Sequence, residues 1–318
     1  MTAWAQAIET PSPVGLPRRT PARPGPGPTP EALLRALDLT VGRRIRGLLP
    51  GEYRAHDLGG GTELAQVRPY EPGDDIRRMD WNVTARTTVP HVRVHVPERA
   101  LTAWLLLDVS PSMTFGTADR RKADVAEGVA VAIGHLATQR GNRLGIVTFG
   151  GTRDRRLPPA AGRMGLLGLL LASRVETVED SVGATSPADA LRLASAAAPR
   201  GGLVVLVSDF RGPRNWRQPL AALAARHQVL AIEIDDPRET ELTDVGELTL
   251  VDAETGREVR VDTSSRRLRE RFAEAALTER ASVATTLRRI GVDHIVLSTA
   301  GDWLRSLAGD LHLRGLRS

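Results

Sequence analysis

The sequence contains no cysteine and only one lysine, Lys122, among its 318 residues. The absence of cysteine excludes disulfide frameworks, thiolate metal sites and cysteine nucleophiles. The other 42 of the 43 basic residues are arginines, whose persistent protonation explains a pI of about 10.6 at a net charge of only +5. The high pI is therefore weak support for a nucleic-acid-binding protein, because a small excess of charge over the whole chain is not a basic stripe.

Aromatic residues and long apolar segments are also scarce. Aromatic side chains make up 3% of the chain, too few for the basic and aromatic surface of a typical RNA-binding module. The longest apolar run, Met164–Ala172, has nine residues, whereas a membrane-spanning helix needs about twenty. The N-terminus lacks the basic and apolar segments of a secretory signal peptide. We therefore expect a soluble, cytoplasmic protein with no integral membrane segment and no nucleic-acid partner.

The distribution of proline and of apolar periodicity divides the chain into three regions. Eight of the 21 prolines fall within residues 11–30, so residues 1–30 are predicted to be a disordered leader. Residues 31–100 are predicted to form an N-terminal region with a helix over Glu31–Leu48 and a strand at His91–Val96. Residues 101–318 are predicted to form the main domain.

The main domain alternates apolar strands with amphipathic helices, which predicts an α/β fold with a mostly parallel sheet and helices on both faces. A hairpin, Glu247–Val251 with Arg257–Val261, is predicted as an addition to this domain. The principal predicted strands are Leu105–Leu107, Arg143–Phe149, Leu203–Val207, Val229–Ile234 and Val292–Leu297. The predicted helices are Ala118–Gln139, Arg163–Arg174, Ser186–Ala198, Asn215–His227, Arg266–Ile290 and Asp302–Leu311.

Oxygen-bearing side chains follow the first strand of the main domain, in the pattern Asp108-x-Ser110-x-Ser112. In an open α/β sheet, ligands bind beyond the carboxyl ends of the strands. One carboxylate and two hydroxyls are hard ligands, which suit Mg²⁺ or Mn²⁺ and not zinc. The same serines could instead be helix caps and turn residues, because they stand where a helix begins.

Two companions strengthen the metal interpretation. Asp209 ends the second apolar strand, and Thr185 precedes a predicted helix, with Ser186 beside it as an alternative ligand. With Asp108, Ser110 and Ser112, these residues resemble the metal-ion-dependent adhesion site of the von Willebrand factor A domain. The resemblance implies a divalent cation bound by all five residues, with one coordination position open to a carboxylate from a partner protein.

A second resemblance covers roughly residues 55–314. The run from Arg68 to Trp81, followed later by Ser208-Asp209-Phe210 and by Asp236-Pro237-Arg238-Glu239, is similar to bacterial domain-of-unknown-function family 58. This resemblance implies an adaptor or co-chaperone that works with a MoxR-type AAA+ ATPase in protein or complex maturation. The signature residues that it singles out for partner binding or structure are Tyr70, Gly73, Asp74, Asp75, Arg77, Asp80, Trp81 and Arg86.

The charges in this signature allow two interpretations. Acidic residues interleave with Arg68, Arg77, Arg78 and Arg86, as in an ion-paired cluster that fixes the segment on the sheet domain. The same charges, with two aromatic side chains, could also form a docking surface.

Two functions therefore follow from the sequence. The first is a non-enzymatic, metal-dependent protein-binding module. The alternative is a Mg²⁺-dependent phosphohydrolase with Asp108 as nucleophile. Position 110 is serine where a haloacid-type phosphatase needs a second aspartate, and lysine is scarce, so the first function is favoured.

Overall fold

The computed structural model describes residues 6–7, 63–96, 102–116, 119–138, 142–151, 156–162, 187–198, 201–253 and 255–315. The predicted helices over Glu31–Leu48 and Arg163–Arg174 lie outside these residues, as do Thr185 and Ser186. The chain divides into two compact units, one within residues 50–100 and one that includes residues 101–318.

The small unit is built on an antiparallel pair, β2 (Glu63–Pro69) and β3 (His91–Val96). The β3 strand was predicted, whereas β2 and the short helix α1 (Trp81–Thr87) were not. A 3-10 turn at Ile76–Arg78 precedes α1. The signature segment from Arg68 to Trp81 therefore connects β2 to the start of α1.

The large unit contains the predicted α/β sheet, with six strands among the described residues. Its strand order is β11-β8-β7-β4-β5-β6, and all neighbours run parallel except β5 and β6. The edge strand β6 was not predicted, because its two prolines weaken a strand pattern. The strands are β4 (Thr102–Asp108), β5 (Arg143–Phe149), β6 (Arg156–Ala161), β7 (Leu203–Ser208), β8 (Gln228–Asp235) and β11 (Asp293–Ser298).

Helices cover both faces of the sheet, as predicted. Leu105 and Leu107 face a core layer under α2 (Lys122–Thr138) and α6 (Trp303–Gly315). Trp104 and Leu106 alternate with them and face a second layer. Because both faces are covered, the central strands are apolar throughout. The helices of the second layer are α3 (Ala188–Ala197), α4 (Arg217–Ala224) and α5 (Arg266–Arg289).

The predicted hairpin is present but forms a sheet of its own. Strands β9 (Glu247–Val251) and β10 (Glu258–Asp262) pair with each other, and β9 also pairs with the short strand β1 (Gln6–Ala7). Gln6 and Ala7, which form β1, fall within the predicted leader over residues 1–30. The rest of that leader lies outside the described residues.

Candidate functional site

The loops after β4, β5 and β7 lie at one edge of the sheet, because these strands are parallel neighbours. Asp108 ends β4, and Ser110 and Ser112 follow it at the start of a 3-10 turn over Pro111–Thr114. Asp209 comes directly after β7. The predicted placement of both aspartates at strand ends is what the chain shows, and all four side chains are buried.

Asp108 and the two serines form one hydrogen-bonded group. The carboxylate Oδ1 of Asp108 accepts a bond of 3.0 Å from the Ser110 amide, and its Oδ2 accepts one of 2.5 Å from the hydroxyl of Ser208. The hydroxyl oxygens of Ser110 and Ser112 are 3.0 Å apart. Ser110 caps no helix through its side chain, so the capping explanation fails for this residue.

Gly150 brings the end of β5 against this group. Its φ of +93° lies in the left-handed region, which glycine adopts without strain. A Cβ at this position would lie 2.8 Å from the Ser110 Cβ and amide nitrogen and 3.0 Å from Asp108 Oδ1. Only glycine therefore allows this close approach, a requirement that the sequence analysis did not identify.

Asp209 is held by Lys122 instead. The Lys122 ammonium is fully buried and donates bonds of 2.6 Å to Asp209 Oδ2 and 2.6 Å to Glu239 Oε1. The Arg211 amide donates 3.0 Å to the other oxygen of Asp209. Both carboxylate oxygens of Asp209 thus already accept bonds from the protein.

Lys122 and Glu239 extend this group of side chains, and sequence reasoning did not place them in it. The scarcity of lysine was used against a phosphohydrolase, and the one lysine lies beside Asp209. The available signals were the singularity of Lys122 in an arginine-rich chain and the place of Glu239 in the signature Asp236–Glu239. Asp236 and Glu239 form a capping box, which orients the Glu239 carboxylate.

The two buried aspartates have opposite electrostatic environments. Burial, together with the negative charge of Asp209, raises the pKa of Asp108 to about 7. Burial would also raise the pKa of Asp209, but the Lys122 ammonium outweighs it and the pKa is lowered. Burial lowers the pKa of Lys122, but the negative charges of Asp209 and Glu239 raise it by more. The net result is a raised pKa. Asp108 is thus the carboxylate that still lacks a cation within the described part of the chain.

This donor set fits a hard divalent cation in part. Asp108, Ser110 and Ser112 offer a carboxylate and two hydroxyls within one turn, and a positive charge beside Asp108 would offset its burial. Among the described residues no group of three or more histidine or acidic side chains could hold a metal ion. A cation here would therefore depend on the hydroxyl ligands.

The signature residues in the small unit form local ion pairs. The two terminal guanidinium nitrogens of Arg68 donate hydrogen bonds of 2.9 and 2.8 Å to the Asp74 carboxylate. Asp80 caps α1 at the Asn82 and Val83 amides and accepts 2.9 Å from Arg93 Nε. The pKa of Asp74 is lowered mainly by the hydrogen bond from the Glu71 amide and then by Arg68. The pKa of Asp80 is lowered mainly by Arg93.

The other signature residues divide between backbone and surface roles. Asp75 caps the 3-10 turn through the Arg77 amide, and Gly73 has a φ of +110°. The Tyr70 amide donates a hydrogen bond to the carbonyl of Pro90, the residue before β3. The Trp81 side chain is 67% exposed, and Arg77 and Arg86 are also exposed. Arg68 pairs with Asp74 and Arg93 pairs with Asp80, both within the small unit, and the expected anchoring of the segment on the sheet domain stays a prediction.

No helix in the described part of the chain combines the length and apolar character needed to cross a membrane.

Three solved structures are similar to the chain at low identity. BatB from Bacteroides thetaiotaomicron is 12% identical with a TM-score of 0.42, over 69% of this chain and 100% of that one. An aerotolerance-related membrane protein from Bacteroides fragilis is also 12% identical, with a TM-score of 0.46 and the same coverage. The SpRpn10 VWA domain is 13% identical with a TM-score of 0.38, over 66% of this chain and 94% of that one. The fold assignment rests on the sheet described above, which has the architecture that the von Willebrand factor A resemblance implies.

Sequence relatives are much closer. Uncharacterized proteins of Mycobacterium bovis and Mycobacterium tuberculosis are each 45% identical over 281 residues, covering 87% of this chain and 87% of theirs. The family model for the protein of unknown function DUF58 matches residues 66–282. The chain therefore belongs to the DUF58 family, as its signature segments predict.

Proposed function

We propose that this protein is a non-enzymatic, metal-dependent protein-binding adaptor of the cytoplasm. The observation that supports the proposal most directly is the buried group of Asp108, Ser110 and Ser112 at the carboxyl edge of the sheet. These three residues would hold Mg²⁺ or Mn²⁺. The resemblance to the von Willebrand factor A domain adds Thr185 as a further ligand. A bound cation would supply a charge-assisted bridge to a carboxylate of the partner.

The chain's own residues set the electrostatics of this site. Lys122 and the Arg211 amide occupy both oxygens of Asp209, which would therefore contribute a nearby negative charge and not a direct ligand bond. Ser208 orients Asp108 through its hydroxyl, and Gly150 leaves room for that group. The result is a preorganised carboxylate with no cationic partner among the described residues, a position that Mg²⁺ or Mn²⁺ would take.

The partner that we propose is a MoxR-type AAA+ ATPase, the class implied by the resemblance to family 58, and the role is that of a co-chaperone in protein or complex maturation. The test is a pull-down from the native host with Mg²⁺ or EDTA, using wild type, Asp108→Ala and Glu258→Ala. The Glu258→Ala variant removes an exposed carboxylate of β10 and serves as the charge-matched control. We expect an AAA+ ATPase with wild type and the control in Mg²⁺ only. Recovery of the ATPase that is unchanged both by EDTA and by Asp108→Ala would refute the proposal.

The phosphohydrolase alternative gains one observation, the position of Lys122 beside Asp209. However, that ammonium is fully buried and already donates to two carboxylates, so it is poorly placed to contact a phosphoryl group. A phosphatase assay separates the two functions. Mg²⁺-dependent turnover that is lost in Asp108→Asn would favour the enzyme, whereas our proposal predicts no turnover above background.

A further inference from the structure

A groove of about 780 Å³ lies between α3 and α4, on the sheet face that α5 also covers. It differs in position and chemistry from the candidate metal site, which lies at the carboxyl edge of the strands. Four arginines line it, and no acidic side chain is among the described residues of its wall. The four are Arg192, Arg214, Arg217 and Arg226.

Most of this positive charge is available to a ligand. Arg217 and Arg226 are exposed and make no ion pair with any described residue. Arg192 pairs at 2.6 Å with Asp189, but both side chains are exposed, and such surface pairs contribute little. Arg214 is fixed from behind by Glu279 and by the Ser282 hydroxyl. Arg214 is thus held in place, Arg192 is in a weak surface pair, and Arg217 and Arg226 have no ion-pair partner among the described residues.

The floor of the groove is apolar. Leu191 is buried beneath it, and Ala196, Pro219 and Ala222 complete the small-residue surface. No aromatic side chain lines the described wall, so bases would find nothing on which to stack. An apolar floor with an arginine rim matches an amphipathic segment whose polar face carries carboxylates, since guanidinium groups bind carboxylates with two parallel hydrogen bonds.

We propose that this groove between α3 and α4 docks an acidic amphipathic segment of a partner protein. The apolar face of the segment would cover Pro219 and Ala222, and its Asp or Glu side chains would bind Arg217 and Arg226. This surface acts independently of any cation at Asp108. It gives the adaptor a second, salt-sensitive contact with its partner.

The test is fluorescence anisotropy with the full chain and a labelled peptide of about fifteen residues, in which Leu at helical spacing alternates with Glu. A Gln-for-Glu version of the peptide is the ligand control. The groove variant is Arg217→Glu with Arg226→Glu. Its matched control, Arg305→Glu with Arg289→Glu, makes the same charge change at exposed positions near the start of α6 and the end of α5.

We expect saturable binding of the Glu peptide, a loss of at least about tenfold in affinity in the groove variant, and under about threefold in its control. Asp108→Ala and EDTA leave this binding unchanged, so its outcome is separable from that of the metal-site proposal. Equal loss in both double variants, or no saturable binding to wild type, would overturn the inference. A single-stranded oligonucleotide that binds more tightly, and is lost in the groove variant alone, would overturn it in favour of nucleic acid.

Discussion

At the scale of single residues, Asp108 and Asp209 show how one contact separates two carboxylates that the sequence presents as equivalent. Both were correctly placed at strand ends from apolar patterning alone, because the carboxyl ends of parallel strands share one edge. Their partners could not be predicted, since Lys122 is 87 positions from Asp209 in the sequence and no local pattern records that contact. Thr185 stays a prediction, because it lies outside the described residues.

Gly150→Ala tests the close approach at this site. Its added Cβ would meet Ser110 and Asp108, whereas Gly201 has a similar φ of +81° and open space around it. We expect Gly201→Ala to lose about 1 kcal/mol of unfolding free energy from backbone strain alone. Gly150→Ala should lose about 1–3 kcal/mol more, because Ser110 must move. Urea unfolding measures both, and equal losses would contradict the account.

At the scale of elements, Lys122 joins three segments that the signature motifs mark separately. It is the first residue of α2, Asp209 follows β7, and Glu239 ends the 3-10 turn at Pro237–Glu239. Sequence patterning predicted α2 and β7 closely but supplied no reason for the three segments to meet. The interaction is tertiary, and Lys122 shares its one positive charge between two buried carboxylates, with Arg211 at 3.4 Å as a second cation for Glu239.

Lys122→Met tests this network. Removal of the ammonium leaves Asp209 buried without its ion pair and Glu239 with only the 3.4 Å pair to Arg211, so we expect a loss of about 3–5 kcal/mol in unfolding free energy. Adding Glu239→Gln to this variant removes one of the stranded charges and should recover part of the loss. Chemical denaturation of Lys122→Met, Glu239→Gln and the double variant gives the comparison. If the double variant loses the sum of the two single losses, the residues do not act as one network.

Asp235, at the end of β8, gives a prediction on pH. Its Oδ1 is buried without a hydrogen-bond partner among the described residues. Its Oδ2 forms an ion pair with Arg280 Nη2 at 3.0 Å. Burial raises its pKa to about 6 against the pull of Arg280. Between about pH 4 and about pH 6 the unfolded chain holds fewer protons at this residue, so stability falls as pH rises.

Asp235→Asn removes that titration. The unfolding free energy of the variant relative to wild type should therefore increase from about pH 4 to about pH 7, by up to about 2 kcal/mol after allowance for solvent screening. Thermal or urea unfolding across this range measures the difference. A difference that stays flat, or that shrinks with rising pH, is incompatible with the raised pKa.

At the scale of the whole molecule, the sequence predicted the layered sheet because buried parallel strands are apolar on both faces, as Trp104–Leu107 are. This rule does not apply to β6, an antiparallel edge strand with two prolines. It does not apply to β1 either, which has only two residues and pairs antiparallel with β9. Charge was predicted less well than fold. The arginine excess was treated as diffuse, yet four of these residues line one groove between α3 and α4.

The central claim is that Asp108 and a divalent cation together bind a protein partner. The most direct measurement is the affinity of the purified chain for the MoxR-type ATPase of its own genome, measured with Mg²⁺ and with EDTA, for wild type and Asp108→Ala. We predict binding that Mg²⁺ strengthens by at least about tenfold and that Asp108→Ala abolishes. Equal affinity in all four conditions would contradict the account.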